Sequence, residues 1–203
     1  MGHPSKLQEL RIYEIKPEYF AAYLKLTSEM YHLRTKHSPL LGYWITEIGG
    51  QNEVCHLWEW ESLEQRAQVR EAMKADKSWF DDYLSKILPW LVKQSNILLR
   101  GELITTLDIK LETKYWYQII QFSETKDEPI RASLRTTGGQ DVQCCGDFTV
   151  ILGGPQGERI LILRASSPSD LLELVDIVKI KATSSRLLTA APWSSKFGAV
   201  FYS

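Results

Sequence analysis

Two of the four histidines, His32 and His37, fall in the stretch HLRTKHSPLLGYW together with Arg34, Lys36, Tyr43 and Trp44. Imidazole changes charge near neutral pH, so His37 is a candidate proton shuttle. His32 and His37 are five residues apart, which turns them away from each other on a helix and misses the i, i+4 spacing of a zinc pair. No metal site is expected. His56 lies in VCHLWEW, where Trp58 and Trp60 follow at alternate positions and share one strand face with it. There it is a candidate hydrogen-bond partner for a ligand, and Tyr43, Trp44, Trp58 and Trp60 offer rings on which a flat molecule stacks. Arg34 and Lys36 are a basic pair that takes an anionic group or stays solvated.

Each of these has a plainer use. A histidine just past a helix interacts with the last carbonyls and the negative end of the dipole. A strand histidine is commonly a core residue bonded to a neighbouring acceptor, and strand aromatics commonly fill a core. No catalytic residue is therefore assigned. His37, His56 and Tyr43 stay candidates for catalysis, Trp44, Trp58 and Trp60 for cofactor or ligand contact, and no cofactor is expected.

Other chemistries find no support. The Gly-Gly pairs lack the Lys-Ser or Lys-Thr of a P-loop, and Gly-x-Ser-x-Gly and Cys-x-x-Cys motifs are absent. Asp81-Asp82 and Glu59 with Glu61 read as helix surface and strand end, not as a glycosidase pair. Cys55, Cys144 and Cys145 are an odd number without zinc spacing, which fits free thiols in a reducing compartment. With 24 basic against 25 acidic residues no general attraction to nucleic acid is expected, and no apolar run is long enough to span a bilayer. MGHPSK has no apolar h-region, so no secretory signal is expected there; the chain starts at this point or follows a trimmed leader.

The elements that must position these residues read as β-α-β-β-α-β. LQELRIYEI is a strand, and Pro17 opens a helix with Phe20, Leu24, Thr27 and Tyr31 at helical spacing. Leu40–Ile48, the turn GGQN and Val54–Trp60 form a hairpin. Ser62 with Gln65 caps a second helix that runs on in broken form through WFDDYLSKILPWLVKQ, and NILLRGELI is a fourth strand. The same order recurs after an offset of 104, which superposes Gly42 on Gly146, Gly49-Gly50 on Gly153-Gly154 and Ser62 on Ser166. Carried through without gaps, it sets LRIYEI on KYWYQI and NILL on VFYS. SETKDEPIRASLRTT is then a weak first helix, and SPSDLLELVDIVKI a clear second one capped by Ser167 or Ser169.

The expected fold is α+β, with two tandem ferredoxin-like units, residues 7–106 and a degenerate 107–203. Strands apolar on both faces imply two sheets packed face to face as an α/β-barrel, the tryptophan row of the third strand turned toward the sister sheet.

The stretch HLRTKHSPLLGYWITEIGG, with VCHLWEWESLEQRAQVREAMKADKSW after it, resembles the NIPSNAP family over roughly Leu7–Leu103. The resemblance implies ferredoxin-like, dimeric α/β-barrel domains, often in tandem, and brings no agreed catalytic residues. It implies a mitochondrial or cytoplasmic setting and contacts with other proteins in mitochondrial or vesicle-related processes, with a homodimer through sheet or helix faces. In the second unit His37 and Tyr43 give way to Asp141 and Asp147, so any function of those side chains belongs to the first. A protein-interaction scaffold, leaning away from catalysis, is the leading expectation. The alternative is a small-molecule enzyme or haem-binding protein of the monooxygenase-like barrel type, its interior lined by His37, His56, Tyr43 and Trp44.

Overall fold

Backbone hydrogen bonding decides the architecture. A computed structural model describes residues 6–103, 115–123, 142–178 and 182–194. Among the described residues eight antiparallel strands run in the order β1-β3-β2-β8-β5-β7-β6-β4 and close on themselves as a barrel. They are β1 Leu7–Ile15, β2 Leu40–Ile48, β3 Glu53–Trp60, β4 Leu91–Leu103, β5 Trp116–Phe122, β6 Gln143–Leu152, β7 Arg159–Ala165 and β8 Ala182–Ala190. Within the first half the spatial order is 4-1-3-2 and within the second 8-5-7-6, the same ferredoxin-like order in each. The weak helix expected over SETKDEPIRASLRTT lies outside the described residues.

The two half-sheets do more than face each other. They join along their edges, β2 to β8 from Trp44↔Ala190 and β4 to β6 through Gly101↔Phe148. Closure satisfies the N–H and C=O groups that two open sheets would leave exposed at four edges. Leu10, Trp44, Leu57, Leu99, Phe148, Ile160 and Ile162 fill the interior. The tryptophan row faces the other way, a correction to the expectation that it meets the sister sheet. Trp58 and Trp60 pack outward under the helices with Tyr13, Tyr23, Tyr43 and Tyr83, and it is the intervening Cys55 and Leu57 that point into the barrel.

On this outer face lie α1 (Phe20–Thr35), entered through a 3-10 turn at Pro17–Tyr19, and α2 (Leu63–Ala75). Ser62 Oγ accepts the Gln65 N–H at 3.1 Å and caps α2 as its sequence implies. A π-helical segment, Ser78–Leu84, then leads through Ser85–Ile87 and a 3-10 turn at Leu88–Trp90 into β4. LVKQ, expected as helix, is strand. Pro89 has no N–H to continue a helix, and Lys93 and Gln94 pair instead with Glu14 and Tyr13. In the second half α3 (Pro168–Val178) starts after Ser167, whose Oγ accepts the Ser169 N–H. Cys55 is a buried free thiol.

The gapless offset of 104 does not survive strand pairing. It holds from β2 to β6, where Trp44 and Phe148 both point inward, and Gly49 and Gly153 take φ of +105° and +86° at equivalent turns. Tyr43 pairs with His56 while Asp147 pairs with Leu161, so β3 corresponds to β7 at 161 − 56 = 105, one residue being added in the second hairpin turn. Leu10 faces Leu57 and Ile97, whereas Ile119 faces Ile162 and Arg186, which sets β1 on β5 at 109 and β4 on β8 at 89. Between the third and fourth strands the second half is thus shorter by 105 − 89 = 16 residues. It has no room for a counterpart to the whole stretch from the π segment to Trp90.

Candidate ligand cavity on the helix side of the first half-sheet

That added stretch encloses space. A cavity of about 390 Å³ lies between the outer face of β1, β2 and β3 and the roof made by α1, α2 and the π segment. α1 brings Tyr23, Thr27, Tyr31 and Arg34 to it at spacings of four, four and three, one face of a helix. The strands supply Arg11, Tyr13, Tyr43, His56 and Trp58, and the wide π turn supplies Trp79, Phe80, Tyr83 and Leu84. π-helical turns are rare and gather at functional sites.

The roof is tied down through Asp76, which ends α2. Its carboxylate accepts His37 Nε2 at 2.8 Å, Lys36 Nζ at 2.6 Å and the Trp79 N–H at 3.3 Å. Those bonds, from Lys36 and His37 foremost, hold the Asp76 carboxyl well below the usual carboxylate range. His37 therefore joins the exit of α1 to the start of the π segment and is not among the cavity's lining residues. Trp44, expected at a ligand site, is a barrel-core ring against Tyr117.

His56 and Tyr43 do line the cavity, with their rings stacked 5.0 Å apart. Trp58 Nε1 donates to His56 Nδ1, so the neutral ring carries its proton on Nε2, and among the described residues Nε2 has no partner. Burial, then the charges of Arg11 and Arg34, hold the His56 pKa well below the ordinary value of 6.5. Hydroxyls meet in pairs beside it, Tyr23 with Tyr43 at 2.7 Å and Thr27 with Tyr83 at 2.9 Å. Burial pushes the Tyr23 and Tyr43 phenols far up and Tyr83 to about 12, so all three stay protonated. The segment after β8 completes this side, with Trp193 edge-on to Tyr43 and Ser194 Oγ accepting the Tyr43 N–H.

Arg34 departs most from its expected place in a solvated pair. Lys36 is exposed, but Arg34 is 7% exposed, its guanidinium 3.9 Å over the Trp58 ring and its Nη1 donating to Ser38 Oγ. Burial, then the neighbouring Arg11, lower its pKa to about 9, which leaves it charged at neutral pH. Arg11 in turn reaches Glu9 at 3.2 Å and the Tyr13 hydroxyl at 2.8 Å. The row Tyr23-Thr27-Tyr31-Arg34 is a signal that sequence reading passes over when it follows the apolar positions of α1 alone. Arg11, Tyr13, Tyr83 and Trp79 carry no comparable signal, since only the fold brings them together.

The sign of one pH effect follows. His56 is protonated in the unfolded chain below about pH 6.5 and stays neutral in the folded one, so stability is lost as pH falls from 6.5 toward the depressed folded value. Urea melts are expected to show a loss of about 1–2 kcal/mol between pH 6.5 and 5. His56→Leu should flatten that window; an unchanged slope in the variant would assign the titration to another group.

Comparison with known proteins bears on both halves. The NIPSNAP family model matches residues 8–101. Protein NipSnap homolog 3A of Homo sapiens is 38% identical over 89 residues, 43% of this chain and 36% of the relative, so the match spans about a third of that protein's length. A solved NIPSNAP family protein of unknown function from Agrobacterium tumefaciens is 30% identical, covering 51% of this chain and 95% of that one, at a TM-score of 0.47. The barrel as a whole is similar to a mutant chlorite dismutase of Candidatus Nitrospira defluvii, with a TM-score of 0.59, 10% identity and coverage of 98% and 97%. At that identity the likeness is one of fold.

Proposed function

The chain belongs to the NIPSNAP family through residues 8–101, and from that premise we propose that this NIPSNAP-type protein holds a small organic molecule in the helix-side cavity of its first half. The observation that supports this reading is the cavity's wall, where a buried arginine, a neutral histidine and paired phenols surround about 390 Å³ of space, a size in the range of small-molecule sites. A core that served only packing would be dry and apolar there. The ligand-binding alternative moves with this observation from the barrel interior, which side chains fill, to the opposite face of the same sheet.

The organisation fits the same proposal. A first unit, residues 7–106, carries the roofed cavity, and a second, residues 107–203, derives from a copy of it that lacks the π segment and serves to close the barrel. Contacts with other proteins, including a second copy, are proposed for the helix faces, because closure uses every strand edge. A mitochondrial or vesicle-related role is proposed on family membership alone. Among the described residues no helix is long and apolar enough to cross a membrane.

Titration calorimetry with 2-naphthamide and 2-naphthoate tests the cavity reading. One-to-one binding of at least one probe is expected, weakened about tenfold or more by Met73→Trp, which fills the space from α2. Absence of saturable binding, or binding indifferent to Met73→Trp, would refute it.

A further inference from the structure

The charges around the cavity are one-sided. Arg11, Arg34, Arg70 and Lys74 line it, and among the described residues no aspartate or glutamate does. Two of the four cations have acidic partners, Arg11 in Glu9 and Lys74 in Glu71. Among the described residues Arg70, exposed on α2, has no ion pair, and Arg34, though buried, has none either. Among the described residues the Arg34 guanidinium donates to Ser38 Oγ and lies over the rings of Trp58 and Trp60, 3.9 and 5.5 Å from their centroids.

A buried charge is costly unless it is paired, and stacking on indole rings offsets only part of that cost. A guanidinium carries five N–H donors in a planar fork, and Ser38 takes one of them. What remains has the geometry that binds a carboxylate through two parallel bonds. Apart from neutral polar groups such as His56, Thr27, Gln94 and the tyrosine hydroxyls, the rest of the lining is aromatic and aliphatic, with Trp79, Phe80, Leu84 and Leu88 toward the π segment.

We propose that the occupant is an organic monocarboxylate, its carboxylate on Arg34 with Arg70 at the entrance, and its flat or aliphatic body under Trp79 and Leu84. This deepens, and rests on, the reading of the cavity as a ligand site. One negative charge balances the buried positive charge of this cavity's wall that, among the described residues, lacks an ion pair. A phosphate dianion would bring a second charge into largely apolar surroundings, and desolvating it would cost more than Arg34 returns. A neutral ligand would leave Arg34 as it stands.

The test compares three probes that share one ring system, 2-naphthoate, 2-naphthamide and 2-naphthyl phosphate, by titration calorimetry at pH 7. The acid is expected to bind about 10- to 100-fold tighter than the amide, the difference made by a charge-assisted hydrogen-bond pair. That ratio should shrink to about threefold or less in Arg34→Met and lie in between in Arg34→Lys, which keeps the charge and loses the fork. Because acid and amide are compared within each protein, a general loss of stability in a variant does not imitate the result; should Arg34→Met not fold, Arg34→Lys and the wild-type ratio decide. Equal binding of acid and amide, both weakened by Met73→Trp, would overturn the carboxylate proposal and leave the cavity reading standing. Tighter binding of the phosphate would overturn it in favour of a dianion. No binding of any probe would overturn both.

Discussion

Glu9→Ala is expected to destabilise the chain by about 3–5 kcal/mol, since removing one partner of a buried ion pair leaves its counter-charges uncompensated. Glu9 is 2% exposed on β1. Its carboxylate takes Arg66 through Nη2 at 2.7 Å and Nε at 3.1 Å, Arg11 Nε at 3.2 Å and Trp60 Nε1 at 3.1 Å. Burial alone would raise its pKa, but the bonds from Arg66 and the charge of Arg11 outweigh it and the net direction is down. Its contribution is therefore fully present above the ordinary carboxylate value of 4.5 and lost as pH falls through the depressed folded value, a window below that of His56. Glu9→Gln keeps the shape and part of the bonding, and a smaller loss is expected. Urea unfolding at pH 7 measures both, and a loss under about 1 kcal/mol for Glu9→Ala would place the Arg66 and Arg11 guanidinium groups in water instead.

The second large effect lies at the seam between the halves. Gly101 of β4 sits opposite Phe148 of β6, and a Cβ there would fall on the Asp147 carbonyl oxygen and within 2.7 Å of Phe148 Cα. Both obstacles are backbone, so no rotamer relieves them, and the ladder that closes the barrel must part. Gly101→Val is expected to cost about 3 kcal/mol or more, at the upper end of overpacking effects. Gly154→Ala is the control, because the nearest atom to its added Cβ is an ordinary 3.5 Å away. Thermal melts showing the two substitutions equal would mean that β4 and β6 do not pair at this register.

Much of this architecture is legible in the residues. The Gly49 and Gly153 turns need a positive φ that other residues rarely take, and the sequence marks both. Gly42 and Gly146 leave room for the rings of Trp44 and Phe148 two residues on, so this strand correspondence is visible too. Ser62 with Gln65 announces α2. The shifts between the halves are not legible, because β1 and β5 hold their positions by cross-strand pairing, and a strand apolar on both faces gives no sign of which face a one-residue slip would select. The same ambiguity hides the direction of the tryptophan row. His56-Trp58-Trp60 and Cys55-Leu57 are both suited to burial, and only the positions of α1 and α2 decide which row meets helices.

The candidate site was half visible. His56, Tyr43 and Trp58 stand out by type and spacing and do come together. His37 stands out equally and serves instead as a tie to Asp76. Arg34 is hidden by the habit of arginine to lie in solvent; its burial follows from Trp58 and Trp60, which give its planar cation a face to lie on. In the stretch HLRTKHSPLLGYW, then, the residues facing the cavity are Arg34, Leu40 and Tyr43, with Ser38 accepting a hydrogen bond from Arg34.

A crystal structure of the chain soaked with 2-naphthoate addresses the central claim most directly, since it locates a ligand without reference to affinity. The expected result is a naphthalene ring between the π segment and the outer face of β1 and β3, its carboxylate within hydrogen-bonding distance of Arg34. A ring inside the barrel among Trp44 and Phe148, or one bound only on the outer surface beside an empty helix-side cavity, would contradict it.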